Sequence, residues 1–140
     1  MEQKDFLLRE IEKIGLILRA IRQKLFGGEE ILSITLEDQI EAAKGMLLNG
    51  TDFDLDKFLN LNIEDSNNYI CSFEGFNVEN IENLADFISQ IGFSNESDKF
   101  KKYLEKSLQL YELCNLISKT YSLERETNIK TIKNSLKKNE

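Results

Sequence analysis

The chain contains no proline, no tryptophan and no histidine among its 140 residues. Without proline, no residue forces a helix to kink or a strand edge to break. The abundant Leu, Ile, Glu, Lys and Asn favour helices joined by polar connectors. Without histidine, the usual general base near neutral pH and the commonest zinc ligand are both missing, which removes much of the enzymatic repertoire. Cysteine is scarce. Cys71 and Cys114 lack Cys-x-x-Cys spacing and have no histidine to work with, so each reads as a small buried apolar residue, not a ligand or reactive thiol. Long apolar runs are also lacking. The stretch after Phe6 is broken by Arg9, Glu10, Glu12 and Lys13, which argues against a signal peptide and against a membrane span. The two Asn-x-Ser/Thr sequons at Asn49 and Asn95 then carry no meaning, because the expected location is the cytoplasm.

What is present suits a globular protein: 41% apolar and 31% charged residues lie far from the composition of disorder. The length is that of one domain, so 1–140 is expected to form a single all-helical domain. The net charge of −7 is unevenly spread: residues 1–28 carry six Lys/Arg against four acids, residues 29–98 two against sixteen, and residues 99–140 ten against five. One reading packs the basic ends beside the acidic middle with the charges in solvent. A sharper one sets the basic end of one molecule against the acidic centre of another. Nucleic acid is a poor partner for either arrangement, since phosphate would be repelled by the chain as a whole.

Leu7, Ile11, Ile14, Leu18, Ile21 and Leu25 are spaced 4-3-4-3-4, a heptad seam that predicts a helix over 5–26. Phe6, Leu8, Leu16, Ile17, Ala20 and Phe26 widen the apolar stripe beyond what a two-stranded coiled coil uses, so a bundle helix fits better. Gly27-Gly28 supplies its stop. After a connector holding Ile31, Leu32 and Ile34, a second helix is predicted over 36–48, capped by Thr35 and ended by Asn49-Gly50. A short helix over 55–61 follows Asp52 and Asp54, and a weaker one falls within 63–73. Asn77 caps a fourth substantial helix carrying Ile81, Leu84, Ala85, Ile88 and Ile91. Helices over 98–119 and from Ser122 to about Lys137 complete the chain, the last with acids early and lysines late, as the helix dipole favours. No segment reads as a strand. The expectation is an all-α bundle of five to seven helices.

Motifs for chemistry do not emerge. Asp52-x-Asp54-x-Asp56 opens like a calcium loop, but Lys57 and Ile63 occupy the positions where glycine and the last acid are required. Gly27-Gly28 is followed by Glu29-Glu30, which would repel phosphate. Glu124-Arg125-Glu126 reads as a solvated helix face. In the C-terminal half, Leu84-Ala85, Ile88 and Gly92 followed by Tyr103, Ser107, Leu108 and Tyr111 resemble a tetratricopeptide (TPR) helix hairpin. A single such unit makes no solenoid.

The segments Asp5-Phe-Leu-Leu-Arg9-Glu-Ile-Glu-Lys-Ile-Gly15, Tyr103-Leu-Glu-Lys-Ser-Leu-Gln-Leu-Tyr111 and Tyr121-Ser-Leu-Glu-Arg125, with Ile129 and Ile132, resemble a family of small all-helical bacterial proteins of unknown function. The resemblance implies an all-helical fold and a bacterial cytoplasm, and brings no site residues. From the residues themselves the expected function is non-enzymatic: an interaction or adaptor module that binds a protein partner or self-associates, without cofactor, metal, nucleic acid or membrane. Its candidate surface is Leu7, Ile11, Ile14, Leu18, Ile21, Leu25, Ile31, Leu32 and Ile34, more apolar positions than one bundle face readily hides. The alternative is a small-ligand-binding regulator or degenerate enzyme with a pocket between helices, furnished by Tyr69, Tyr103, Tyr111, Tyr121 and Cys114.

Overall fold

The computed structural model describes residues 2–26, 36–94 and 98–138. Among the described residues there are seven helices and no strand: α1 (Glu2–Phe26), α2 (Leu36–Thr51), α3 (Leu55–Asn60), α4 (Ile63–Cys71), α5 (Val78–Phe93), α6 (Asp98–Ser118) and α7 (Leu123–Lys138). The chain is all-α, with the expected number of helices. Contacts group it into two compact units, Met1–Asn80 and Ile81–Glu140. The division falls in the first turn of α5, where no linker or break in pattern marks it in the sequence. The Gly27-Gly28 stop, the Thr35 cap and the apolar connector residues Ile31, Leu32 and Ile34 lie outside the described residues.

In the first unit α1 packs on α2, and α3 and α4 follow as short helices. Ile14, Leu18 and Ile21 are fully buried, as a heptad seam in a bundle requires. Gly50 lies against α1: a Cβ there would sit 2.5 Å from Ile17 Cδ1. The glycine is therefore used for close packing and does not stop the helix. α2 ends three residues later than expected, at Thr51, whose hydroxyl donates to Leu47 O (2.6 Å). Asp52 takes the left-handed conformation (φ 66), and its N–H donates to Leu48 O. Asp54 and Asn62 cap the next two helices by accepting from Lys57 N (3.1 Å) and Asp65 N (2.7 Å). These are the side-chain acceptors that orphan N–H groups at a helix start need.

Between these short helices Phe53, Phe58, Tyr69, Phe73 and Phe76 form one aromatic cluster, with Phe53 at its centre. Lys57 lies over the Tyr69 ring at 4.8 Å. Buried Asn80 closes the unit, its amide donating to Ile11 O (2.9 Å) and Gly75 O (2.8 Å). It ties α1 to the loop before α5 and satisfies its own buried amide in doing so. Gly75 is equally constrained, since a Cβ there would come within 2.7 Å of the Glu10 carbonyl oxygen.

The second unit is built from two antiparallel turns. α5 pairs with α6, Gly92 lying against Leu104 and Asp86 opposite Tyr111. α7 returns along α6, with Asn115 meeting Arg125 and Asn128 meeting Tyr111. α6 ends at Ser118, and Lys119 (φ 57) adopts the left-handed conformation after it. Ser122 Oγ then accepts from Arg125 N (3.2 Å), the cap expected for α7. Among the described residues no helix is long and apolar enough to cross a membrane.

Candidate functional site

Burial along the α1 seam falls steadily toward its start. Leu18 and Ile21 are completely covered and Ile14 nearly so, Ile11 is half-buried, and Leu7, one heptad before Ile14, is 37% exposed. Phe6 and Leu8 beside it are 55% and 56% exposed. This corrects the sequence-based surface: Ile14, Leu18 and Ile21 are core of the first unit, because the same face that could have met a partner meets the unit's own helices. Of the nominated residues, Leu7 and Ile11 keep exposed area, while the side chain of Leu25 and all of Ile31, Leu32 and Ile34 lie outside the described residues.

The open end of α1 borders a cleft of about 340 Å³, lined by Phe6, Glu10, Ile14, Thr51, Ser72, Phe73, Glu74 and Gly75. Phe6 and Phe73 supply its large apolar side chains and Ile14 its apolar floor. Thr51 and Ser72 are committed to their helices, donating to Leu47 O and Tyr69 O. Glu10 and Glu74 have no Lys or Arg partner among the described residues. Two helices, α2 and α4, also end at the cleft, at Thr51 and beside Ser72. Helix C-termini carry partial negative charge, so carboxylates and helix ends act in the same direction. The site suits an apolar group that bears a positive charge. Sequence patterns missed it because its residues come from three separate helix ends and share no period.

The second unit holds a buried polar network. Arg125, read from the sequence as part of a solvated face, is only 4% exposed. Its Nη2 and Nε donate to the two oxygens of Glu82 (3.0 and 3.3 Å), and its Nη1 to Asn115 Oδ1 (3.0 Å) and Ser118 Oγ (3.3 Å). Asn115 donates in turn to Glu126 (3.3 Å). A forked, charge-assisted contact of this kind holds the planar guanidinium in one orientation. The signal was present: Arg125, Ile129 and Ile132 share the i, i+4, i+7 spacing of one buried face. Tyr111 donates to Asp86 and lies beside Asn128.

The tyrosines expected as pocket furnishings divide between the two units. Tyr69 belongs to the first unit, where its hydroxyl accepts from Asp54 N (2.9 Å). Tyr103 is buried and stacks on Phe100, and Tyr121 is 77% exposed. Only Tyr111 and Cys114 share an environment, that of Glu82 and Asp86. Cys114 is buried as expected, but Cys71 is exposed, because it ends α4 on the side away from the aromatic cluster's covered core. Among the described residues no group of His, Cys, Asp or Glu could hold a metal ion.

Burial pushes the Cys114 thiol up to about 12, against the pull of Arg125. Burial also raises the Tyr111 phenol, with its hydrogen bond to Asp86 acting in the same sense. Both groups keep protons in the folded state that the unfolded chain releases above the ordinary values of 9.0 and 10.0. The unfolded state then binds fewer protons, so stability falls as pH rises. The contribution is complete below pH 9 and declines above it, by up to about 1.4 kcal/mol per pH unit for each group. Urea midpoints should hold level up to about pH 8 and drop beyond 9, and Cys114→Ala with Tyr111→Phe should flatten that drop. A thiol reagent should label Cys71 at once and Cys114 only on unfolding. Rapid labelling of native Cys114 would contradict its burial.

No family model, curated protein or solved structure matches this chain.

Proposed function

We propose that the chain is a non-enzymatic interaction module that receives a protein segment at the open end of α1. The observation carrying this reading is the fall in burial along a single seam, from covered Ile14 to exposed Leu7, with Phe6, Leu8 and the cleft beside it. A lone exposed leucine is ordinary; consecutive exposed Phe6, Leu7 and Leu8 bordering a concave site form the kind of patch that marks a contact surface. The TPR-like reading of the α5–α6 hairpin and residence in the cytoplasm belong to the same proposal, the latter supported by two free cysteines in a chain without disulfides.

A photo-crosslinking side chain placed at Leu8 in the native cell tests it. The expected result is a discrete protein adduct, with a second copy or another protein, that disappears with Glu74→Lys. Absence of any adduct, or the same adducts from a crosslinker at exposed Glu64 on α4, would remove the reading.

A further inference from the structure

We propose that the occupant of the cleft is a second copy of this chain, and that the part which enters is the turn between α6 and α7. The inference rests on the interaction reading above and names its partner. Among the described residues the three most exposed large apolar side chains all lie in or beside this turn: Tyr121 at 77%, Leu116 at 72% and Leu123 at 70%, with Ile117 at 46%. Such a concentration within eight residues is an apolar surface without a cover.

The turn is also held in one shape. Lys119 N donates to Asn115 O (3.3 Å) and Thr120 N to Ser118 Oγ (3.4 Å). Ser122 caps α7, and Arg125 binds both Asn115 and Ser118 on the other flank. Little order is left to lose on binding, which favours association by a small surface.

Its chemistry complements the cleft. Exposed Lys119 stands among the turn's apolar side chains, while Glu10 and Glu74 stand beside Phe6 and Phe73. The same opposition holds over longer stretches, with ten Lys/Arg against five acids in residues 99–140 and two against sixteen in residues 29–98. Electrostatic complementarity of this kind fixes register and selects partners. The contact is heterologous: each copy offers one cleft and one turn, and the two surfaces differ.

Sedimentation velocity over rising concentration provides the test. The intact chain should associate weakly, with a Kd of about 100 µM. Phe6→Ser with Glu74→Lys damages the cleft, and Leu116→Ser with Tyr121→Ser damages the turn. All four side chains are exposed, so helicity by circular dichroism should be unchanged. Each variant alone should be monomeric, and an equimolar mixture should regain a one-to-one complex, because one intact cleft then meets one intact turn. If either variant loses helicity, a charge exchange serves: Lys119→Glu should abolish association, and adding Glu74→Lys in the same chain should restore it. The inference is overturned by an intact chain that stays monomeric, by variants that associate like the parent, or by mixtures that remain monomeric. A monomeric chain that still gives the Glu74-dependent crosslink to another protein would remove the second copy as occupant and leave the interaction reading standing.

Discussion

Replacing Arg125 by methionine is expected to destabilise the second unit by about 3 kcal/mol, the lower end of what breaking a buried ion pair costs. The guanidinium is almost fully covered and serves Glu82, Asn115 and Ser118 together. Methionine fills much of its volume but donates nothing, so Glu82, whose side chain is 25% exposed, keeps a charge with only partial access to water. That partial access is why the lower end of the range applies. Adding Glu82→Leu should recover most of the loss, since an apolar pair of similar size often replaces a buried ion pair without penalty. Arg125→Lys keeps the charge and loses the fork, and should fall between the parent and the methionine variant. Urea unfolding followed by circular dichroism reads all of these from the midpoint. A loss below about 1 kcal/mol for Arg125→Met would show that the network contributes no more than an exposed pair does.

The fate of Arg125 shows where the sequence was legible and where it was not. Helix periodicity and side-chain caps located the seven helices of the described residues, because each signal acts within a few residues of itself. Asn77, Ser122 and Asp54 cap where their local chemistry puts them. The misreadings concern what a helix face meets. Arg125 was assigned to solvent by its charge, although its spacing from Ile129 and Ile132 placed it on the covered side of α7. Ile14, Leu18 and Ile21 were assigned to a partner by their excess, although the unit's own helices cover them. Gly50 was assigned to a helix stop, whereas its role is contact with Ile17. Each of these depends on a neighbour remote in the chain, and one sequence carries no term for that neighbour. The cleft was illegible for the same reason: Glu10, Thr51, Ser72 and Glu74 become one site only when three helix ends meet.

That dependence on remote neighbours makes Phe53 the second position of large expected effect. The ring is fully buried, with centroids at 5.6 Å from Phe58, 5.3 Å from Tyr69, 5.4 Å from Phe73 and 5.0 Å from Phe76. Phe53→Ala removes the member that all four others touch, and should cost about 4 kcal/mol through lost burial and the cavity left behind. Against a total stability of roughly 5–15 kcal/mol, that is a large fraction. Phe53→Leu retains most of the volume and should lose about 1.5 kcal/mol. The consequence extends to the cleft, because Phe73 lines it and meets Phe53 edge-on. Without Phe53, Phe73 keeps its T-shaped contacts with Tyr69 and Phe76 but loses the third. Phe53→Ala should therefore weaken association at the cleft even under conditions where the chain stays fully helical, whereas Phe53→Leu should leave association within roughly twofold of the parent. A helical Phe53→Ala chain that associates like the parent would show that the aromatic cluster supports the fold without shaping the site.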